Sequence, residues 1–294
     1  MKHYKINPFK TLALKILDYL DSILSVSLYL KIKFYLRVGY WPDLKNPQSF
    51  NEKLQWLKLH DIHPEYGKLV DKASVKEIVG KIIGEEYIIP TYGIYNTIDD
   101  IDWSQLPSRF VLKSTCDSGG VVICKDKEAL DISVSIKKLK KAGEKDYSRF
   151  NKEYPYKYAS HKYIAESYIT DESDYELKDY KFFCFDGVPR FVQLDFDRQT
   201  NHRRNVYDTE WNLLDLQIQF PKGHDRIFPK PKNFNEMLEV AAKLSAGIPH
   251  VRIDLYNVNG QIYFGEMTFF HGSGMEIFTP RKWDYEFGKY IQLQ

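Results

Sequence analysis

The residues best suited by type and spacing to do chemistry are Arg252, Asp254, Glu266 and Thr268, in the stretch Pro249 to Gly274. Val251, Ile253 and Leu255 alternate with Arg252, Asp254 and Tyr256, the period-two pattern of a strand with one apolar face. Ile262 to Phe270 is a second aromatic and β-branched run, and Asn259-Gly260 between them is a hairpin signal. Loop length decides what the carboxylates can do. A two-residue loop at Asn259-Gly260 turns Asp254 and Glu266 to opposite faces. A three-residue loop from Val258 to Gly260 gathers Arg252, Asp254, Glu266 and Thr268 on one face, with Gly260 in the left-handed position of a type I turn plus bulge. Such a face suits Mg²⁺, which takes one or two carboxylates together with phosphate oxygens. The plain alternative is a surface hairpin with a wet polar side.

The rest of the chain must supply a frame for that hairpin. A length of 294 residues suggests about two domains. With 43% hydrophobic and 28% charged residues it has the composition of a globular protein with a sizeable core. A net charge of +2 argues against a nucleic-acid binder. The 15% aromatic content suits strand packing and contacts to sugars or bases. Cys116, Cys124 and Cys184 have no CxxC spacing and are odd in number, which fits reduced thiols in the cytoplasm.

Between Thr11 and Leu36 the chain is rich in apolar residues, but Lys15, Asp18, Asp21, Lys31 and Lys33 interrupt it. That excludes a spanning segment of about 18 apolar residues, and no signal-peptide cleavage pattern follows. Leu12, Ile16, Leu20 and Ile23-Leu24 fit one helical face, read as packed on the fold or on a partner, and the lysines around it also permit peripheral association with anionic lipid at the inner face of a membrane.

Further helices are expected at Asn51 to His60, after Ser49 as cap, at Asp71 to Ile83, ended by Gly84, at Lys127 to Lys141, and at Phe234 to Ala246. Strands are expected at Tyr87 to Tyr92, Phe110 to Lys113, Val121 to Lys125, Tyr163 to Ile169, Asp179 to Phe185 and Pro189 to Phe196. The mixture is α+β. Between the second and third of these strands Ser114 to Gly120 forms a small-residue flap whose backbone N–H groups could cover phosphates, with Lys113 as a point charge beside it. The segment from Arg198 to Arg204 reads as a basic loop whose His202, Arg203 and Arg204 could dock an anionic acceptor.

NPQSFNEKLQWLKLHD, LVDKASVKEIVGKIIGEEYIIP, FVLKSTCDSGGVVICKDK, DYKFFCFDGVPRFVQLD and RIDLYNVNGQIYFGEMTFFHGSG follow one another in the order of an ATP-grasp enzyme. The chain most closely resembles the TupA-like ATP-grasp family of polysaccharide biosynthesis. The resemblance implies an ATP-grasp fold in which two α+β subdomains clamp ATP. These are residues 71–165 with the flap and 166–294 with the metal-binding hairpin, after a helical region at 1–70. It implies ATP and Mg²⁺ as cofactors. Lys72, Lys113, Ser118, Gly119 and Gly120 are implied at the phosphates, Glu166, Ser167, Tyr168 and Ile169 at adenine and ribose, and Asp179 with Lys181 along the nucleotide pocket. Arg252 and Lys181 are implied as catalytic cations, and Asp254, Glu266 and Thr268 as metal ligands. Thr268 stands where many of these enzymes have Asn, and the flap is poorer in glycine than most. One shared metal requires both carboxylates on one face, so the three-residue loop is the expectation.

The implied activity is an ADP-forming carboxylate–amine ligase that makes an amide through an acyl phosphate. The resemblance ties it to a uronic acid of a capsule or other surface polysaccharide, or its precursor, joined to an amino acid or amino alcohol. Two alternatives come from other classes. Asp195-Phe196-Asp197 after an apolar strand is a DxD, which in a glycosyltransferase holds a metal and a sugar diphosphate. A catalytically silent nucleotide-binding protein is the other, and the presence of Arg252, Asp254 and Glu266 argues against it.

Overall fold

A computed structural model describes residues 8–117, 119–171, 177–198, 200–223 and 226–293. The chain opens on a helical hairpin, α1 (Pro8–Tyr19) and α2 (Val26–Val38). Ser25 caps α2 by accepting from the Leu28 N–H, and Gly39 ends it at φ 96°. Leu17 on α1 packs with Tyr29, Leu30 and Phe34 on α2 and with the distant Met275. The opposite side of α1 stays open: Leu12, Ile16 and Tyr19 are 57%, 53% and 82% exposed. No helix among the described residues is long and apolar enough to cross a membrane.

Helix α3 (Phe50–His60) starts at a capping box, Ser49 and Glu52 each accepting from the other's backbone N–H. Its buried polar residues tie down a remote loop. Asn51 donates to Glu276 O at 2.9 Å, Gln55 to Gly274 O at 2.8 Å and Lys58 to Ser273 O at 2.9 Å. After α4 (Tyr66–Val70), α5 (Ser74–Ile83) begins later than the sequence pattern suggests. Asp71 precedes it as a cap, accepting from the N–H groups of Ala73 and Ser74 at 2.9 Å.

The first sheet has the antiparallel order β1-β4-β2-β3, with β1 (Thr91–Tyr95), β2 (Phe110–Ser114), β3 (Val121–Cys124) and β4 (Tyr163–Ser167). The strand expected at Tyr87 to Tyr92 is instead a 3₁₀ turn at Glu85–Tyr87 followed by β1, because Pro90 has no N–H for a ladder. Helix α6 (Ile132–Gly143), capped by Asp131, covers the sheet through Leu139 against Phe110, Leu112 and Val122. A short helix, α7 (Tyr147–Phe150), leads back towards β4.

The second sheet has the order β10-β9-β5-β6-β7, all antiparallel, with β5 (Asp179–Phe185), β6 (Val188–Phe196) and β7 (Arg203–Asp208). A short β8 (Gln217–Ile218) and α8 (Phe234–Ser245) precede β9 (Val251–Val258) and β10 (Gln261–Thr268). β11 (Phe278–Thr279) and α9 (Lys282–Gly288) close the chain. One face packs on α8, where Phe182 stacks with Phe234 at 6.0 Å. The other face is divided. Phe183 and Phe191 are covered by Phe50 of α3 and Phe287 of α9. Lys181, Arg252 and Asp254, further along the same face, are buried in charge pairs and not under apolar rings.

The central hairpin corrects the three-residue expectation. Val258 pairs with Gln261, so the loop is Asn259-Gly260 alone, with both residues at positive φ (53° and 94°), the geometry that matches strand twist. Asp254 and Glu266 nonetheless share a face. The register shifts between Phe264, opposite Leu255, and Glu266, opposite Asp254, leaving Gly265 as an extra residue.

Candidate active site

Three alternate residues of β9 set the site out along one line: Arg252, Asp254 and Tyr256. Arg252 grips Asp254 with Nε and Nη2, both at 2.7 Å, and its Nη2 also donates to Glu266 at 3.2 Å and Thr268 at 3.1 Å. Lys181 on β5 donates to Asp254 at 2.6 Å and bonds Asp179 two residues earlier on its own strand. Burial pushes the Asp254 carboxyl up to about 6 although Arg252 and Lys181 pull it down. Glu266 is 38% exposed at its side chain and faces Lys72 at 3.9 Å. Against the opposing effect of burial, Lys72, Arg252, Lys181 and Lys113 hold it down to about 2.

The donor set fits Mg²⁺. Among the described residues no group of three His, Cys, Asp or Glu forms a closed metal cage. Glu266 and the Thr268 hydroxyl offer hard oxygens on one face beside Asp254, whose two oxygens Arg252 and Lys181 hold, and so small a set suits an ion that keeps waters and phosphate oxygens in its shell.

Beyond Tyr256, between the two sheets, lies a cavity of about 700 Å³. Val111, Ile123 and Ile169 give it apolar walls, and Lys113, Glu166, Ser167, Tyr168, Thr170 and Asp179 also line it. Lys113 pairs with Glu166 at 2.6 Å, and Lys76 on α5 pairs with the same carboxylate. Burial raises Glu166, but the two lysines outweigh it and leave the carboxyl below its ordinary value. The cavity lining thus carries Lys113 pinned to Glu166, with Lys76 behind the same carboxylate. Lys72 anchors the flap instead, donating to Asp117 O at 2.7 Å. Gly119 takes φ 95°, and Gly120 donates to Asp117 Oδ1 at 3.0 Å, close enough that a Cβ there would strike the carboxylate. Ser118 lies outside the described residues.

On the Arg252 side a second cavity, about 640 Å³, is lined by Arg252, Glu266 and Thr268 together with Glu153, Ser273 and Glu276. The loop His271–Gly274 holds Gly272, Ser273 and Gly274 all at positive φ (53°, 59° and 62°). Ser273 is kept there by Gln55 and Lys58 on its carbonyl, while its hydroxyl accepts from Lys58 at 3.0 Å and donates to Glu153 at 2.7 Å. Burial lowers Lys58 to about 8 and raises Glu153 above its ordinary value. His271 links Arg252 (2.7 Å) to Glu276 (2.8 Å), and Glu276 continues to Arg204 at 2.8 Å.

Most of the residues expected from the sequence are therefore gathered: Lys113, Glu166, Ser167, Tyr168, Ile169 and Asp179 around one cavity, Arg252, Glu266 and Thr268 at the other, with Asp254 and Lys181 between them. Of the basic loop, Arg198 and Thr200 line the first cavity, while His202, Arg203 and Arg204 line neither. Arg204 is buried in β7, with its Nε 2.6 Å from Asp195, and His202 is 3.1 Å from the same carboxylate and lies on the Phe220 ring. Arg203 opens β7 apart from both cavities. An acceptor dock at His202, Arg203 and Arg204 is not formed, because the strand holds two of the three as internal partners of Asp195. Asp195 in turn is held well below the ordinary carboxyl range by Arg204 and His202 despite burial, and Asp197 pairs with Arg226 at 3.2 Å. The DxD offers no free metal pair. Lys76, Lys58, Glu153, Ser273, His271 and Glu276 escape the sequence reading. For His271 and Ser273 the signal was the Gly272-Ser273-Gly274 turn after the hairpin; the lysines look like any solvated helix residue.

Two α+β halves around a nucleotide-sized cavity, with a flap on one half and a carboxylate pair on the other, define an ATP-grasp protein. The chain belongs to the TupA-like ATP-grasp family, whose model matches residues 52–292. ATP and Mg²⁺ are the cofactors of ATP-grasp proteins. Among solved structures it is similar to the D-alanine–D-alanine ligase of Bacillus anthracis complexed with ATP, at 15% identity and TM-score 0.39 over 68% of this chain and 53% of that one. It is also similar to N5-carboxyaminoimidazole ribonucleotide synthetase (purK) in its ADP complex, at 15% identity and TM-score 0.42 over 74% and 50%. A third is the ATP-grasp ligase PsnB complexed with minimal precursor, Mg and ADP, at 10% identity and TM-score 0.39 over 76% and 60%. The chain thus spans between half and two thirds of the length of these structures. No curated protein matches it.

Proposed function

We propose that this protein is an ATP-dependent carboxylate–amine ligase that forms an amide on a sugar carboxylate, such as a uronic acid of a surface polysaccharide or its precursor. The observation that carries the reading is the order along β9: Tyr256 in the nucleotide cavity, Asp254 at the carboxylate pair, Arg252 in the second cavity. A phosphoryl donor on one side of that line faces an acceptor on the other.

A carboxylate does not acylate amines at neutral pH because its leaving group is oxide. Transfer of the terminal phosphoryl group of ATP to one carboxylate oxygen gives an acyl phosphate and ADP. An amine then attacks the acyl carbon, the C–O bond to phosphate breaks, and phosphate and a proton leave. Mg²⁺, when bound, neutralises phosphate charge. Asp254, Glu266 and Thr268 would hold it, and Lys72, Lys113, Lys181 and Arg252 would stabilise the charge that develops. The flap from residue 115 to 120 excludes water from the acyl phosphate. Glu153 would receive the amine's proton through Ser273, whose hydroxyl donates to it and passes on its own hydrogen as it takes the amine's. In this reading residues 71–165 and 166–294 are the halves of the clamp, with the joint in β4, and residues 1–70 are an accessory region. The exposed side of α1 supports peripheral attachment to a membrane.

The test is to incubate the protein with Mg-ATP, a panel of uronic acids and mixed amines, and follow ADP and product mass. ADP release that needs both substrates, with a product lighter than their sum by one water, supports the reading. Release of a nucleoside diphosphate from a sugar donor, with ATP intact, overturns it.

A further inference from the structure

The helical hairpin α1–α2 lies outside the residues matched by the family model, yet it walls the second cavity. Lys10 and Leu14 of α1 and Lys33, Leu36 and Arg37 of α2 line the same space as Arg252, Glu266 and Thr268. Lys33 is engaged internally, donating to Asp18, to the Tyr29 hydroxyl and to Phe150 O. Lys10 and Arg37 make no hydrogen bond or ion pair among the described residues. The acids of the cavity are differently placed. Glu276 pairs with Arg204 and His271 and Glu266 with Arg252, Glu153 accepts from the neutral Ser273 hydroxyl, and Asp117 also lines the space. Lys10 and Arg37, exposed on separate helices, are the lining cations with no acidic partner among the described residues. Tyr147, Tyr156 and Phe220 add aromatic surface to the lining, of the kind sugar C–H groups pack against, with His202 and Arg204 against the Phe220 ring.

We propose that the second cavity is the acceptor site and that it selects a sugar carboxylate which also carries a phosphate or diphosphate ester. The carboxylate lies at Arg252, and the phosphate is held by Arg37 and Lys10. An Arg fork matches phosphate oxygens two at a time, and a lysine beside it adds a point charge. The proposal rests on the ligase reading for what happens to the carboxylate, but not for the binding itself.

Binding separates the two. The full chain, saturated with Mg²⁺ and a non-hydrolysable ATP analogue to fill the first cavity, is titrated calorimetrically with methyl glucuronoside, glucuronic acid 1-phosphate and UDP-glucuronic acid. Wild type is compared with Lys10→Ala/Arg37→Ala, whose side chains are exposed and leave the core intact. The ester is expected to raise wild-type affinity about tenfold or more, as a charge-assisted contact does, and the variant to lose that gain. Tighter binding of the UDP form points to a diphosphate-linked acceptor, and equality to a monophosphate; both support the site. Equal affinity of wild type for all three sugars, no binding of any, or an ester gain kept in the variant overturns it. A chain that binds the ester through Arg37 and Lys10 but releases no ADP keeps the site and loses the ligase. Ligation of the plain uronic acid with no preference for the ester does the reverse.

Discussion

Asp254 and Glu266 face each other across β9 and β10 on one side of the sheet because Gly265 is inserted between them and the regular ladder. A Cβ at Gly265 would come within 3.0 Å of Asp254 O and 3.1 Å of the Tyr256 ring. Gly265→Val is therefore expected to cost about 1–3 kcal/mol, as overpacking does, and to weaken Mg²⁺ dependence by moving Glu266. Urea denaturation and a Mg²⁺ titration of ATP turnover check this. A variant with wild-type stability and metal dependence would remove the bulge from the argument.

Glu166, which lines the first cavity with Lys113, pairs with both Lys113 and Lys76. Glu166→Gln leaves two largely buried ammonium groups without a counter-charge, a change expected to cost about 3–5 kcal/mol. Lys113→Ala leaves Glu166 paired with Lys76, so its stability loss is smaller. Its ATP affinity is expected to fall roughly 10- to 100-fold, the worth of one charge-assisted contact. Denaturation and nucleotide titration of both variants distinguish the roles, and equal ATP affinity in Lys113→Ala and wild type counts against the cavity assignment.

Arg203 and Arg204 are neighbours with different work. Arg204 is buried between Asp195 and Glu276, so Arg204→Ala is expected to destabilise by about 3–5 kcal/mol. Arg203→Ala is expected to change stability by no more than about 0.5 kcal/mol. Thermal denaturation of the two single variants decides it. Similar small effects would return both residues to the surface role that their sequence context suggested.

That pair also shows where sequence pattern stops. Alternation at Val251 to Tyr256 was enough to place Arg252 and Asp254 on the polar face of a strand, and Asn259-Gly260 was enough to place the turn. The face shared with Glu266 was right, but the expected reason, a longer loop, was not. A period-two pattern cannot reveal an extra residue at Gly265, since slipping a ladder by one residue leaves the composition unchanged. Asn51, Gln55 and Lys58 pose the complementary problem. Their burial depends on carbonyls of Ser273, Gly274 and Glu276, more than two hundred residues away, and local periodicity holds no trace of that contact. The strands β2, β3, β5 and β6 were legible because β-branched and aromatic runs between glycine turns encode strands locally, whereas β7, behind a basic stretch, was not.

His250 supplies a pH test of the core beneath the site. It lies against the rings of Phe50 and Phe185, and its Nδ1–H donates to Cys184 O at 2.9 Å. Burial lowers its pKa from the ordinary 6.5 to about 3. Between those values the unfolded chain binds one more proton than the folded chain, so stability falls as pH falls, by about 1.4 kcal/mol per unit. His250→Asn keeps an N–H donor and removes the titration. The loss of stability between pH 7 and pH 5 is expected to be about 2 kcal/mol smaller in the variant. An unchanged acid slope would mean that carboxylates alone set it.

The open side of α1 leads to the last expectation. Leu12, Ile16 and Tyr19 are spaced three and four apart on one helical face and are exposed, while Leu14 and Leu17 on the other side are buried. Lys15 flanks the exposed stripe, and Ile23, just beyond the helix, is 74% exposed. A face of this kind inserts into the headgroup boundary, with lysine favouring anionic lipid. It would bring Lys10 and Arg37, which line the second cavity, close to the lipid surface. The protein is expected to co-sediment with phosphatidylglycerol vesicles, less with phosphatidylcholine, and less in high salt. Leu12→Ser/Ile16→Ser is expected to weaken binding tenfold or more, since each side chain contributes roughly 1.5–3 kcal/mol on burial. ATP turnover on water-soluble substrates should be unchanged in that variant. Absence of vesicle binding, with concentration-dependent self-association that the same variant abolishes, would reassign the stripe to a second copy of the chain.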